Sequence, residues 1–285
     1  MLRNLFAVVC LTAVLSSVTF GGAIVSGFNT TSDGRNDDGT YTAPGGCTNA
    51  GNGGTCAGSL VPVGFNLNFF GVNFNSLYIN TNGNVTLDNP LSTFTPFGLT
   101  ATASQIIAPF FADVDTRPAA SGVVTFGTGT FGGFSAFGVN WIDVGYFNQH
   151  TDLLNSFQLL LVDRSDTGAG NFDIVFNYDN VQWETGDASG GVAGLGGNSA
   201  RAGFSNGTGA PGTSFELLGS AINGALINTG ADALITHDLN SNVLGRYIFE
   251  ARNGTINTGT PEPGTLGLLG IGVVLFGCYR RYSTR

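Results

Sequence analysis

Short stretches in which apolar residues alternate with small or polar ones recur along most of this chain. Between Val63 and Phe69, apolar residues alternate with glycine and asparagine, and the stretch from Phe172 to Tyr178 has a similar period of two. Such alternation is typical of half-buried strands, because successive side chains point to opposite faces of a sheet. Apart from the two ends, no segment keeps a helical period over three turns. The pattern predicts an all-β fold, an antiparallel β-sandwich of many short strands.

The composition favours the same fold and limits the partners. Glycine supplies 45 of the 285 residues and disfavours long helices, whereas 23 phenylalanines supply apolar surface for a core. The ten cationic residues are all arginine, and they stand against 19 acidic residues for a net charge of −9. Such a surface repels nucleic acid and anionic lipid and attracts divalent cations.

Three segments allow sharper strand predictions. Asn82-Gly83 lies between two apolar stretches and predicts a tight hairpin in which both turn residues have positive φ. Ile106–Phe111 is apolar but contains Pro109, which predicts an edge strand or the start of a strand. Phe157–Val162 is apolar almost throughout, which predicts a central strand covered on both faces.

The amino terminus has the layout of a secretory signal peptide. Arg3 precedes an apolar stretch from Leu5 to Val18, and small residues follow it. We therefore assign residues 1–23 to a signal peptide, with cleavage at Thr19-Phe20-Gly21 or at Gly21-Gly22-Ala23. The rest of the chain is expected to be exported.

The carboxyl terminus has three parts in a fixed order. Pro261-Glu262-Pro263 precedes an uncharged apolar run, Gly264–Cys278, and a basic end with Arg280 and Arg281 follows. Fifteen helical residues span about 22 Å, which is short for a bilayer core of roughly 30 Å. The arginines are expected to stay on the cytoplasmic side.

This order resembles the PEP-CTERM sorting signal of bacteria that make exopolysaccharide. The resemblance implies handling by an exosortase, a membrane protease-transpeptidase, with Pro261, Glu262, Pro263, Arg280 and Arg281 as the signal. It places a linker at 253–260 and the sorting signal at 261–285, with a hydrophobic helix at 264–279 in the inner membrane before processing. An ordinary C-terminal membrane anchor is the alternative.

Two cysteines lie between the terminal segments. Cys47 and Cys56 bracket eight residues rich in glycine, asparagine and threonine. In an exported protein this spacing predicts a local disulfide that closes a flexible loop. A zinc site is the alternative, but two ligands are too few for it.

Six blocks of sequence together resemble the nidogen-like (NIDO) extracellular domain. They are Arg35–Gly39, Phe65–Gly71, Leu77–Leu87, Ile107–Asp115, Ser156–Leu159 and Phe172–Tyr178. The resemblance implies one nidogen-like β domain at 24–252, with its core at about 32–218. It also implies a role in cell–matrix adhesion, and no catalytic residue comes with it.

Two acidic groups are candidate Ca²⁺ ligands. Asp33, Asn36, Asp37 and Asp38 share one glycine-containing loop, and Asp113 and Asp115 flank Val114 after an apolar strand. Alternation places the latter two carboxylates on the same side of the chain, and Ca²⁺ takes 6–8 oxygen ligands. The alternative is that these residues are solvated turn caps.

Two catalytic motifs match by pattern but lack their structural context. Gly203-Phe204-Ser205-Asn206-Gly207 fits G-x-S-x-G, with Asp232 and His237 downstream, yet no helix can follow it at Pro211. Gly127-x-Gly129-x-x-Gly132 fits a dinucleotide fingerprint, but a second apparent strand follows it, so we predict a hairpin loop.

Four further side chains carry expectations of their own. Strand alternation predicts a buried Trp141, whereas Trp183 ends a polar stretch and is expected to be exposed. His150 is 87 positions from His237, the other histidine, so surface positions are expected for both.

The sequence predicts an exported protein of the cell envelope, cell surface or extracellular matrix that acts in adhesion or matrix binding and is not an enzyme. Its expected partners are an exosortase-type transpeptidase, exopolysaccharide or other surface proteins, and the membrane through the C-terminal helix. The alternatives are a glycan-active hydrolase, which would use Asp113 and Asp115 as a carboxylate pair in a cleft, and a purely structural surface-layer component.

Overall fold

The computed structural model describes residues 22–43 and 58–258, and within these ranges the fold is all-β. The described strands are β1 (Thr31–Ser32), β2 (Val61–Phe69), β3 (Val72–Asn80), β4 (Asn84–Thr86), β5 (Gln105–Phe111), β6 (Val114–Asp115), β7 (Val124–Phe131), β8 (Phe134–Tyr146), β9 (His150–Asp163), β10 (Phe172–Asn180), β11 (Arg201–Asn206), β12 (Ser214–Glu216), β13 (Arg246–Arg252) and β14 (Thr255–Asn257). Two short 3₁₀ turns, Leu99–Ala101 and Asp187–Ser189, are the helical segments of this part of the chain.

The strands form two antiparallel sheets that pack face to face. The larger sheet has the order β1-β7-β8-β9-β10-β13-β14, with β6 also paired to β8, and the smaller has the order β12-β11-β5-β4-β3-β2. The predicted antiparallel sandwich is therefore confirmed. The predicted terminal helices, the cysteine loop and the sorting signal lie outside the described residues. Within 22–43 and 58–258, no helix has the length and apolar character to cross a bilayer.

Aromatic side chains join the two sheets. Phe110 of β5 contacts Phe157 of β9 with 5.2 Å between ring centroids, and Trp141 of β8 stacks on Phe157 at the same separation. Phe157 and its neighbours up to Val162 are buried, and β9 lies between β8 and β10. The predictions of a central strand and of a buried Trp141 are thus confirmed.

Trp183 is buried as well, so its predicted exposure is wrong. Its ring meets Phe110 edge to face at 5.9 Å, and its Nε1 donates a hydrogen bond to the Val144 carbonyl at 3.1 Å. The backbone around it is tied down by Asn155, whose side-chain oxygen accepts from the Gln182 and Trp183 amides. The polar neighbours that suggested exposure satisfy backbone groups of the connection, and the indole turns inward.

β5 is an internal strand, so the edge position predicted from Pro109 is wrong. β5 pairs with β4 on one side and with β11 on the other. The pairing with β11 shifts register between Arg201 and Gly203, opposite the stretch that contains Pro109. A bulge is one of the few places where a sheet tolerates proline, which cannot donate a ladder hydrogen bond.

The hairpin at Asn82-Gly83 exists but uses a different turn. Asn80 pairs with Asn84, which leaves three turn residues, and Gly83 alone of the predicted pair has positive φ, at +73°. A Cβ at Gly83 would lie 1.8 Å from the Phe110 carbonyl oxygen. Glycine is therefore required here by φ and by close approach to β5, and Asn82 is free to serve another purpose.

The segment 22–30, which we call the amino-terminal strap, crosses the outer face of the larger sheet. Phe28 is buried there against Gly138, where a Cβ would lie 2.5 Å from the phenylalanine ring. The Gln158 side chain accepts a hydrogen bond from the Val25 amide at 3.1 Å and donates one to the Val25 carbonyl at 2.7 Å. The strap includes Gly22 and Ala23, two residues that the sequence had assigned to the signal peptide.

The last strand extends the domain toward the carboxyl terminus. β14 pairs with β13 through Glu250–Asn257, Ala251–Ile256 and Arg252–Thr255. Ile256 is buried in the main core. These residues fall in the range 253–260 that the sequence had assigned to a linker.

Candidate functional site

The loop that follows β1 is organised by the buried side chain of Asn36. Its Oδ1 accepts hydrogen bonds from the Gly39 amide, at 2.9 Å, and from the Thr81 hydroxyl. Its Nδ2 donates to the Gly34 carbonyl at 2.7 Å, and its backbone amide donates to the Thr116 hydroxyl at 2.9 Å. Asn36 thus joins the loop to the β3–β4 turn through its side chain and to the residue after β6 through its backbone.

Asn82 fixes the same region from the other side. Its Nδ2 donates to Asp38 Oδ1 at 3.0 Å, and its Oδ1 accepts from the Val114 amide at 2.9 Å. Its carbonyl also accepts from the Ala112 amide at 3.3 Å. The turn residue therefore holds Asp38 beside Asp113, which lies between Ala112 and Val114.

Asp37, Asp38 and Asp113 form a compact group that we call the carboxylate triad. One oxygen from each lies within 4.8 Å of the others, and the residues are 0, 3 and 1% exposed. The connection after β10 closes over Asp113, because a Cβ on Gly186 would lie 2.5 Å from its Oδ2. The Ser189 hydroxyl makes a long hydrogen bond to the same oxygen at 3.5 Å.

The burial and the neighbouring charges of the triad change the pKa of Asp113. The pKa of Asp113 is raised to about 8, first by burial and then by the negative charges of Asp38, Asp37 and Asp115. Burial removes the water that stabilises a carboxylate, and like charges disfavour ionisation further. Without a cation, Asp113 therefore keeps its proton at neutral pH.

Asp115 belongs to an adjoining ion pair rather than to the triad. Its Oδ1 accepts from the Arg117 Nε at 2.9 Å and from the Arg117 amide at 3.0 Å, and its Oδ2 accepts from the Gln149 amide at 2.9 Å. The Arg117 guanidinium also lies 3.1 Å from Asp37 Oδ2. One guanidinium is thus shared between Asp115 and the edge of the triad.

The six predicted ligands therefore separate into four roles. The structure brings together Asp37, Asp38 and Asp113, whereas Asp115 pairs with Arg117 and Asn36 builds the loop. Asp33 accepts from the Gly34 amide at 2.9 Å and from Asn36 Nδ2 at 3.2 Å, as a turn cap does. All six are buried, so the alternative of solvated caps is wrong.

The donor set of the triad suits a hard cation. Its ligand atoms are carboxylate oxygens, which Ca²⁺ prefers, while zinc and other softer metals favour nitrogen and sulfur. Three carboxylate oxygens within 4.8 Å of one another concentrate negative charge in a low-dielectric setting, where a cation is attracted strongly.

Sequence reasoning missed two residues of this site. Arg117 follows Asp115 by two positions, and that spacing in an extended chain was a usable signal for their pairing. Asn82 was read only as a turn residue, because its contacts with Asp38 and Val114 come from distant parts of the chain.

The residues of the two catalytic motifs lie in strands and turns of the sheets and do not form catalytic sites. Ser205 lies within β11, is buried, and accepts a hydrogen bond from the Gly207 amide at 3.1 Å, whereas a hydrolase serine sits on a turn before a helix. His237 Nδ1 lies 3.0 Å from the Ala233 carbonyl. Gly127 and Gly129 lie in β7, and Gly132 begins the turn to β8, as the hairpin prediction required.

Asp113 and Asp115 are also not a glycosidase pair in a cleft. Both are buried, and Asp115 is neutralised by Arg117. A hydrolase needs its two carboxyl groups open to substrate on either side of the scissile bond.

A separate polar groove of about 320 Å³ lies on the outer side of the β2–β3 hairpin. Its lining residues are Leu60, Asn66, Asn73, Phe74, Asn75, Ser76, Tyr78, Leu87 and Asp88. β2 departs from β3 between Pro62 and Leu67, where the register shifts, and this irregularity lies beside the groove. The lining offers amide and hydroxyl groups, two aromatic rings and no cation.

These features define an antiparallel β-sandwich with a buried acidic site, and comparison with known proteins gives its family. The chain matches the nidogen-like domain over residues 75–134 and 126–253. It therefore belongs to the nidogen-like domain family. Residues 260–281 match the PEP-CTERM protein-sorting motif. Both resemblances inferred from the sequence are confirmed.

Known proteins resemble this chain over a small part of their own length. Alpha-tectorin of Mus musculus is 34% identical over 205 residues, which cover 64% of this chain and 9% of that protein. Alpha-tectorin of Gallus gallus is 31% identical, covering 71% of this chain and 10% of its own length. Nidogen of Drosophila melanogaster is 27% identical, covering 65% and 14%. No solved structure matches significantly.

The chain thus corresponds to between 9 and 14% of the length of these relatives. Membership in the nidogen-like family and the sorting motif indicate an exported, extracellular or surface protein, and the motif implies processing by an exosortase. The family and the relatives also identify it as a non-enzymatic protein, as the sequence predicted.

Proposed function

We propose that this chain is a surface-displayed binding module that acts in adhesion or matrix binding. The observation that carries the proposal is the burial of the carboxylate triad within a filled sandwich, which favours a scaffold over turnover of a substrate. The nidogen-like family adds support, because its relatives include a protein named nidogen. A glycan-active hydrolase is disfavoured by the same burial, and a purely structural surface-layer component is the remaining alternative.

The carboxylate triad is the proposed site of a Ca²⁺ ion. The ion would join the loop after β1 to the segment between β5 and β6, two parts of the chain about 75 positions apart. Asp37, Asp38 and Asp113 would supply carboxylate oxygens, and the remaining coordination positions would be filled by other oxygen donors. The ion would replace the proton on Asp113 and remove the repulsion within the triad.

The polar groove is the proposed contact surface for exopolysaccharide. Side-chain amides and hydroxyls both donate and accept, as sugar hydroxyls do, and Tyr78 and Phe74 offer apolar ring surface beside them. The groove volume of about 320 Å³ is at the low end for small-ligand sites. Each contact would be weak, and many displayed copies would provide retention through multivalency.

Calorimetry and thermal melting of the exported full-length protein test the metal site. We expect heat on addition of CaCl₂ to chelator-treated protein and a higher melting temperature. Asp38→Asn should remove both responses, whereas Asp88→Asn, an exposed carboxylate outside the triad, should keep them. Absence of heat and of a melting shift in the unaltered protein would contradict a Ca²⁺ site.

Retention on producing cells tests the adhesive role. The fraction of exported protein that stays with washed matrix should fall in a Tyr78→Ala, Asn75→Ala double variant. Leu218→Ala is the matched control, because Leu218 is 77% exposed but does not line the groove. Equal retention of all three proteins would remove the groove from the function. Release of all three into the medium would remove adhesion itself.

The C-terminal segment is the proposed temporary membrane handle, and Cys47–Cys56 the proposed disulfide. Mass spectrometry of protein from cells and medium tests the first, since an intact Arg285 in both fractions would leave a simple anchor. Alkylation of the denatured protein with and without reductant tests the second. A disulfide predicts that Cys47 and Cys56 are alkylated only after reduction.

A further inference from the structure

The second residue of the amino-terminal strap, Ala23, is built into the folded domain. Ala23 is wholly buried, and its carbonyl accepts a hydrogen bond from the Arg246 guanidinium at 2.5 Å. The same guanidinium donates to Asn177 Oδ1 at 2.8 Å and lies over the Phe131 ring, 5.0 Å from its centroid. Loss of Ala23 would leave both a gap and an arginine without one of its acceptors.

Gly22 is fitted just as closely against Asp179. A Cβ on Gly22 would lie 2.2 to 2.4 Å from all three terminal atoms of the Asp179 carboxylate. Asp179 Oδ1 also accepts a hydrogen bond from the Ile24 amide at 2.9 Å. The carboxylate therefore folds over the first two residues of the strap, and glycine is the residue that leaves room for it.

We infer that the leader is removed between Gly21 and Gly22, so that the mature chain begins at Gly22 with its α-ammonium paired to Asp179. Of the two cleavage sites that the sequence allows, only this one keeps Gly22 and Ala23. Standard bond lengths place the Gly22 nitrogen within about 5 Å of the Asp179 carboxylate. A free terminus can close that distance by rotation. The inference rests on the predicted leader and is independent of adhesion.

The chemical step is hydrolysis by a membrane leader peptidase. Water adds its hydroxyl to the Gly21 carbonyl carbon, the bond to the Gly22 nitrogen breaks, and that nitrogen receives the proton. The products are a Gly21 carboxylate and a Gly22 amine, which is protonated at neutral pH beside Asp179. Cleavage thus creates a positive charge where the folded domain already holds a negative one.

Because the chain contains no lysine, the protonation of the terminal amine can be measured without interference from other amines. All ten cationic residues are arginine, so the mature protein contains one amine, its own amino terminus. An amine-acetylating ester will therefore modify a single position, and its rate as a function of pH reports the pKa of that group. Tandem mass spectrometry of the labelled peptide identifies the first residue in the same experiment.

We expect the exported protein to begin at Gly22. A protein that begins at Ile24, or anywhere else, would overturn the assigned cleavage site. The exported full chain carrying Asp179→Asn should begin at the same residue, because the leader peptidase acts before the domain folds.

The pairing is tested by combining acetylation with substitution. In the unaltered protein the amine should have a pKa about 0.2–0.7 units above that in the Asp179→Asn variant, as for an exposed ion pair. Acetylation should lower the melting temperature by about 1–3 °C in the unaltered protein and in an Asp88→Asn control, but not in Asp179→Asn. Equal acetylation rates and equal melting shifts in all three proteins would overturn the pairing.

Discussion

The carboxylate triad and the network around Asp173 surround their buried carboxylates differently: the first groups carboxylates together, and the second places a carboxylate between guanidinium groups. Asp173 lies between two guanidinium groups, with Arg164 at 3.1 Å and Arg252 at 2.6 Å. Each arginine has a second acidic partner, Asp166 or Glu250. In the triad, three carboxylates share the neighbourhood of Arg117, which is already bound to Asp115.

The difference lies in how the carboxylates are grouped, since the triad brings carboxylate oxygens within 4.8 Å of one another. Cations from the chain balance the Asp173 network, which lies on the outer side of the larger sheet. The triad sits where three connections meet, and among the described residues Arg117 contacts both Asp115 and Asp37. Burial of unbalanced charge is costly, so such a site either keeps a proton or takes up a cation.

The largest effect is expected from breaking the one ion pair beside the triad. Asp115→Asn would leave Arg117 beside Asp37 alone and remove the acceptor of the Gln149 amide. Loss of one partner of a buried pair costs about 3–5 kcal/mol of unfolding free energy. Denaturant unfolding of the full chain measures this loss. A change below about 1 kcal/mol would show that the pair is dispensable.

The next effect concerns pH. The folded pKa of Asp113, about 8, lies above its ordinary value of 3.8, so the folded state binds the extra proton. Its contribution to stability is complete below pH 4 and is lost as the pH rises toward 8, by up to about 1.4 kcal/mol per unit. Melting of metal-free protein between pH 5 and 8 checks the sign. CaCl₂ should oppose the loss, and its effect should grow with pH.

A third test removes the repulsion within the triad. Asp113→Asn should raise the stability of metal-free protein at pH 7 by about 2 kcal/mol, because no proton has to be taken up on folding. The same variant should lose the response to CaCl₂. A destabilised Asp113→Asn protein would mean that the carboxylate serves the fold through contacts other than charge.

The smallest effect is expected in the balanced network. Asp173→Asn leaves Arg164 with Asp166 and Arg252 with Glu250, so a loss of about 1 kcal/mol is expected. Its stability should depend little on CaCl₂. If Asp173→Asn costs as much as Asp115→Asn, redundancy of partners does not explain the contrast between the two regions.

Local patterns predicted the strands well because most of them obey a period of two or are buried on both faces. β2, β9 and β10 follow directly from their sequences, and so does the hairpin at Gly132. The edge prediction from Pro109 was wrong because the missing N–H is accommodated by a bulge in β5 itself, where residues 109 and 110 stand opposite residue 202 of β11. No feature of the sequence near Pro109 marks that bulge.

The sequence predicted which acidic residues belong to the candidate site, but not which of them contact one another. Alternation suggested that Asp113 and Asp115 face one way, yet Arg117 draws Asp115 into a pair and leaves Asp113 with Asp37 and Asp38. Such choices depend on contacts across tens of residues. The predicted exposure of Trp183 was wrong for the same reason, since its surroundings come from β5 and β8.

The contact between Ala23 and Arg246 has a consequence for the order in which the protein assembles. In a chain exported from its amino terminus, the strap is among the first parts to emerge, yet the Arg246 guanidinium that donates to its Ala23 carbonyl lies 223 positions later, in β13. Contacts of such separation form late, because the intervening chain must first be ordered. The contact between Ala23 and Arg246 therefore forms only after β13 has crossed the membrane, shortly before the C-terminal sorting signal follows it.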